Sequence, residues 1–350
     1  MNGRLKSILV GSAVAATLIF PSLAATPPAP PAPPAPAAQP APAPQPIVVA
    51  MNSGNWARWP AKKFQTHAVR LNDIVGTITV MVANGGPMVL EVSGDKNRLD
   101  NLDVSADGDT LRIEGSDVHD VWDWKNWFNF NFHDTDHTRS LNIKVTVPKG
   151  ADVEVHDLVG NASIGDTYGP LRFDAAATEA KIGRVGKADV SLAGTGKVDV
   201  AQVDGPLSLD IAGSGRVNVG PVNGKLKADI AGAGDATVGP VADGLAVDIA
   251  GSGDLSVASV KGRTSIDIAG SGSVKIADGE ANPLHVDIMG SGNLDFGGTA
   301  VDPKISALGS GNVRLKAYRG KLSSTGMASV KIGDKTVTVK DDDDDDNDDN

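Results

Sequence analysis

The sequence predicts an all-β chain wound into a parallel β-solenoid with 19-residue coils. Three observations carry that prediction. An aliphatic residue followed by Ala-Gly-Ser-Gly, or a close variant, recurs along the second half. Its first glycine falls at Gly194, Gly213, Gly232, Gly251, Gly270, Gly290 and Gly309, at steps of 19, 19, 19, 19, 20 and 19 residues. Fixed periods of this length belong to stacked repeat folds. Apolar and polar residues alternate on both sides of each glycine cluster, as in strands with one buried face. No segment of helix length shows apolar periodicity.

The N-terminus reads as a secretory signal over residues 1–25. Arg4 and Lys6 supply the positive region, Ile8 to Phe20 the apolar region, and Ser22-Leu23-Ala24-Ala25 the small residues for cleavage. The apolar region is short for a membrane span, so the mature chain is expected to carry none; an uncleaved anchor is the alternative. No cysteine follows it, which excludes a bacterial lipoprotein. Residues 26–47 are almost entirely Pro and Ala, a semi-rigid spacer that cannot bury a core.

A single solenoid domain is expected over residues 48–340. Its first part has β character at irregular spacing: Val69 to Leu71, Gly76 to Val82, Met88 to Val92, Leu99 to Val104 and Leu111 to Ile113. Leu141 to Val147 alternates cleanly and ends at Pro148. These strands either begin the solenoid or cap its end. Between Ile113 and Leu141 lie Trp122, Trp124, Trp127, Phe128, Phe130 and Phe132, interleaved with Asn, Asp and Lys, in a chain only 4% aromatic. Aromatic faces edged by amides and carboxylates suit sugar or partner binding. The other reading is a segment that folds back over the solenoid end or flank. His133, Asp134, Asp136 and His137 follow without a recognisable metal-ligand spacing.

Within the repeats, three apolar columns line one core. Leu192, Ile211, Ile230, Ile249, Ile268 and Ile288 stand two residues before the first glycine. Val198, Val217, Ala236, Leu255, Val274, Leu294 and Val313 stand four after it, and Val200, Val219, Val238, Val257, Ile276, Phe296 and Leu315 six after it. The central glycines suit a bend with positive φ or close backbone approach. Seven coils stacked about 4.8 Å apart make a rod of roughly 34 Å. Leu158 to Ile164 and Ala175 to Ile182 read as degenerate coils. Thr325-Gly326-Met327-Ala328, with Val330 and Ile332, reads as a last coil at a step of 17.

Asp341 to Asn350 contains eight aspartates, −8 of the net charge of −11, so residues 1–340 carry −3. Such a run repels itself and stays solvated; it lacks the spaced ligands of a Ca²⁺ loop, so any Ca²⁺ binding is weak. The acidic balance excludes nucleic acid as a partner. With no cysteine there is neither a disulfide framework nor a cysteine-ligated metal.

The Ala-Gly-Ser-Gly coils, with Thr146-Val147-Pro148 upstream, resemble the bacterial family called the putative autotransporter adhesin, head GIN domain. Asp210 to Gly215 and Asp267 to Gly272 are especially typical, and the similar segment runs from about Phe64 to Ile332. The resemblance implies a secreted or periplasmic protein with a right-handed parallel β-helix. It supplies no catalytic residues. Nothing after Ile332 reads as a membrane barrel, which needs many long alternating strands.

An enzyme built on such a scaffold needs acid and base groups that break the repeat and converge. Asp210, Asp229, Asp248, Asp267 and Asp287 do the reverse, occupying one equivalent position in successive coils. They read as a solvated scaffold face or as a ladder that holds cations weakly. The Gly-x-Gly pairs recur in every coil without a following helix, unlike nucleotide loops. The expectation is therefore a non-enzymatic exported module, periplasmic or at the cell surface, that binds an envelope glycan or protein. Trp122, Trp124, Trp127, Phe128 and Phe130 are its contact candidates. The alternatives are a self-associating envelope scaffold and a carbohydrate-active enzyme with its site near residues 115–140.

Overall fold

The computed structural model describes residues 56–115, 140–326, 329–333 and 335–337. The proposed signal, spacer, aromatic segment and aspartate tail lie outside these residues.

The N-terminal part contains β1 (Trp56–Arg58), β2 (Lys62–Phe64), β3 (Ala68–Asn72), β4 (Val75–Ala83), β5 (Met88–Asp95), a helix α1 (Lys96–Asp100), β6 (Asp103–Asp107), β7 (Thr110–Glu114) and β8 (Leu141–Pro148). It stacks in a different order from that in which it is written. β3 and β4 form one coil, bent at Asp73, whose φ is +55°. On one side β3 pairs in parallel with β7, and β4 with β8. On the other side both pair with β9 (Asp152–Ile164), Ala68 opposite Asp152 and Val75 opposite Val159. β7 and β8 thus make one further coil, and residues 116–139 join its two strands. Beyond it, β5 runs antiparallel to β8 and β6 antiparallel to β7, with β1 and β2 antiparallel to β5. The irregular region therefore supplies both first coils and an antiparallel layer closing the end. The expected strand at Leu99 to Val104 begins only at Asp103. The Asp95 carboxylate accepts from the Asn97 and Arg98 amides at 3.0 and 3.4 Å, which caps a turn of helix there, and Leu99 buries from it.

From β9 onward, coils follow in chain order. β10 (Leu171–Val185) and β11 (Ala188–Val203) each run through a whole coil. β12 (Leu207–Gly213) with β13 (Arg216–Val219), and β14 (Leu226–Gly232) with β15 (Asp235–Val241), divide theirs at the glycine bend. β16 (Leu245–Gly251), β17 (Asp254–Gly270) and β18 (Ser273–Ile276) continue the stack. After them come β19 (Gly279–Gly290), β20 (Asn293–Val301), β21 (Lys304–Gly309), β22 (Asn312–Arg319), β23 (Ser323–Gly326), β24 (Ser329–Ile332) and β25 (Lys335–Val337). Pairing is parallel until β25 turns back on β24.

The three predicted apolar columns are buried throughout. The structure adds others. Val190, Leu209, Ala228, Val247, Ile266 and Val286 line the core four residues before the first glycine, and Val185, Val203, Val222, Val241 and Val260 stack at the opposite corner. Each buried aliphatic side chain contributes about 1.5–3 kcal/mol over its exposed state, and each packs on equivalents above and below.

The two glycines of each bend serve different needs. The first has positive φ, from +113° at Gly232 to +131° at Gly270. From Gly215 onward the second is crowded by a core side chain: a Cβ on Gly234 would sit 2.5 Å from Ile211 Cγ2. The final coil corrects one expectation. Gly326 opposes Ala307, a step of 19, and not Gly309. The shortening to 17 begins only in the next strand, where Ser329 opposes Asn312. Two residues are lost from the bend, not from the strand before it.

Candidate functional site

On the strand preceding each bend, inward residues alternate with outward ones. The outward position three residues before the first glycine is aspartate in five successive coils. Parallel in-register pairing sets Asp210 against Asp229, Asp229 against Asp248, Asp248 against Asp267, and Asp267 against Asp287. Serines close the row at both ends, Ser191 opposite Asp210 and Ser306 opposite Asp287. All five predicted aspartates are thus brought into one column.

Beside it runs a second outward column, one residue before the first glycine: Ala212, Ala231, Ala250 and Ala269, then Met289 and Leu308. Met289 and Leu308 pair across adjacent strands and are 62% and 65% exposed. The aspartates, the four alanines and Met289 line a groove of about 510 Å³, with carboxylates along one wall and Ala and Met side chains along the other. The apolar column was legible in the repeat itself, where Ala gives way to Met and Leu; sequence reasoning followed the aspartates and missed it.

Other outer faces match opposite charges across coils. Arg70 meets Glu154 at 2.5 Å, Arg216 meets Asp235 at 3.0 Å and Arg314 meets Asp295 at 3.7 Å. The aspartate column instead stacks like charges, which repel by about 0.9 kcal/mol per neighbouring pair in water. One ion pair relieves this: the Lys227 ammonium bonds the Asp229 carboxylate. Burial opposes charge on Asp229, but the Lys227 ammonium beside it outweighs burial and holds Asp229 below the usual range. Burial, then the neighbouring Asp229 carboxyl, pushes Asp210 up. The same two causes raise Asp248. Burial, then the charges of Asp248 and Asp287, raises Asp267. The row is a line of like-charged carboxyl groups with one lysine paired into it.

The wall suits hydroxyl, amine or cation contacts, and the apolar side suits the non-polar face of a sugar or an aliphatic side chain. The carboxyl groups are spread along an axis, one in each of five successive coils. Among the described residues no three His, Cys, Asp or Glu side chains group as a metal centre, and no helix is long and apolar enough to cross a membrane. Trp122, Trp124, Trp127, Phe128 and Phe130 lie outside the described residues, in the connection between β7 and β8.

The model of a family described as "Putative auto-transporter adhesin, head GIN domain" matches residues 73–240 and 239–335. No curated protein matches the chain. A solved structure described as a putative lipid binding protein from Parabacteroides distasonis is 18% identical, covers 80% of this chain and 97% of its own, and has a TM-score of 0.39. One described as a putative adhesin from Bacteroides fragilis is 15% identical, covering 80% and 98%, at a TM-score of 0.31. Another putative adhesin, from Parabacteroides merdae, is 16% identical, covering 80% and 96%, at 0.32.

Proposed function

This chain belongs to the family of putative auto-transporter adhesins, head GIN domain, and from that premise we propose that it is an exported, non-enzymatic binding module of the cell envelope. Its ligand is an envelope glycan or protein. The observation that carries this reading is the groove along the aspartate row, at whose end Met289 and the neighbouring Leu308 stand exposed. Exposed apolar surface edged by polar groups marks interaction sites. The connection at 116–139 offers a second contact region through Trp122, Trp124 and Trp127.

The test is retention of the chain on an isolated envelope fraction, untreated, periodate-oxidised or protease-treated. Loss after periodate identifies a glycan, and loss after protease a protein. Met289→Ser with Leu308→Ser is expected to reduce retention about tenfold with unchanged thermal stability, as loss of about 1.4 kcal/mol of contact requires. The Trp122→Ala, Trp124→Ala, Trp127→Ala variant reports on the other region. Full retention by both variants would sink the proposal, and release of soluble sugar would favour an enzyme. Protease shaving of intact cells distinguishes the outer surface from the periplasm.

Self-association is the second reading. β23 pairs only with β21 among the described residues, leaving a strand edge at the end of the stack. Concentration-dependent sedimentation without an effect of envelope material would favour it.

A further inference from the structure

The strands that follow each glycine bend carry a face of opposite sign. On their outer side Lys275, Asp295, Arg314 and Lys331 follow one another in register on β18, β20, β22 and β24. With Asn293 and Asn312 they line a groove of about 400 Å³. The Asn312 amide donates to Asn293 Oδ1 at 3.2 Å. The one acid, Asp295, lies 3.7 Å from Arg314. Lys275 and Lys331 form no ion pair with a carboxylate of the described residues. The excess is regional: residues 301–340 hold eight Lys or Arg and two Asp, and the next ten residues hold eight Asp.

The chain's course brings the two regions together. β25 turns back along β24, with Val337 opposite Val330, so the chain leaves its last described strand beside the one bearing Lys331. From β24 to β18 is three strand spacings, about 14 Å. Residues 338–350 extend to roughly 43 Å at most, so the tail spans the groove with length to spare.

We propose that the aspartate tail, Asp341 to Asn350, docks into this groove in its own chain. The groove is thereby an anion-binding site that the tail occupies in its own chain. The tail's self-repulsion is relieved by the unpaired lysines, and an outside polyanion must compete with a tethered one. This goes beyond the binding role proposed above and does not depend on it, since the two grooves share no residue.

Two measurements on full-length chains test it. Carbodiimide treatment in low salt joins carboxylates to amines in contact. Isotope-labelled and unlabelled chains are mixed so that links within and between copies differ in mass. Links from tail aspartates to Lys275 or Lys331 within one chain are expected; links found only between copies, or none to these lysines, would overturn the proposal. The second measurement titrates a fluorescent peptide copy of residues 341–350. A variant with all eight tail aspartates changed to Asn is expected to bind the peptide roughly tenfold more tightly than the parent, because a short tether gives the resident tail a millimolar effective concentration. Adding Lys275→Gln, Arg314→Gln and Lys331→Gln to that variant should remove the gain. All three sites are exposed, and thermal melting checks the fold; if the triple change melts early, Lys331→Gln alone is expected to lose part of the gain. Equal binding by the parent and the Asn-tailed variant, or a gain that survives the basic substitutions, refutes the docking.

Discussion

Gly251→Ala probes the device on which every coil depends. Gly251 has a φ of +128°, a conformation that costs a residue with a Cβ about 1–3 kcal/mol. The added Cβ would lie 2.4 Å from the Gly232 carbonyl oxygen of the preceding coil. That oxygen also accepts from the Ser252 amide at 2.8 Å. Tilting the carbonyl to clear the methyl group weakens this bond, a loss of about 0.5–1.5 kcal/mol. The expected destabilisation is therefore about 2–4 kcal/mol. Ser252→Ala, at an exposed position in the same bend, should stay within about 0.5 kcal/mol of the parent. Urea unfolding followed by far-ultraviolet circular dichroism gives the free energies. Hydrogen exchange by mass spectrometry shows where protection is lost, because stacked repeats unfold locally and each coil touches only its neighbours. A loss for Gly251→Ala below about 0.5 kcal/mol, or one equal to that of Ser252→Ala, would refute the claim that backbone conformation dictates glycine there.

The aspartate row predicts opposite effects from one kind of substitution. Asp267 is held above its ordinary value, so its favourable contribution is complete below pH about 3.9 and is lost as pH rises through its folded pKa. Asp229 is held below, so its contribution is present above that pH and lost as pH falls further. At pH 7, Asp267→Asn should therefore stabilise the chain by up to about 1.7 kcal/mol, the repulsion of its two neighbouring pairs, and Asp229→Asn should destabilise it. Urea midpoints at pH 7 and pH 3.5 should show both effects shrinking at the lower pH; equal signs at pH 7 would contradict the opposed shifts of Asp267 and Asp229. Calcium is expected to bind the row no more tightly than about 10⁻⁴–10⁻³ M, measured by titration calorimetry, and less well to the Asp248→Asn, Asp267→Asn variant.

The regular half was legible because its information is local. Side-chain alternation within a strand and glycine at each bend are written at short range, and the 19-residue step then dictates which residues stack. The core columns and the aspartate row follow from that arithmetic alone. The N-terminal order was not legible, because β3 and β4 lie between β9 and the coil of β7 and β8, a choice among non-local pairings that no period records. The register of Gly326 was misread for a related reason: its glycine matched the pattern, but hydrogen bonding to β21 set its partner. Only the folded chain shows that Lys227 pairs into the aspartate row, that Met289 and Leu308 stand exposed beside it, and that Lys275, Arg314 and Lys331 stack beside the point where the chain departs. Each of these is a relation between coils. The sequence determined what every coil contains; packing decided what neighbouring coils make together, because side chains 19 residues apart in the chain lie only a strand spacing apart in space.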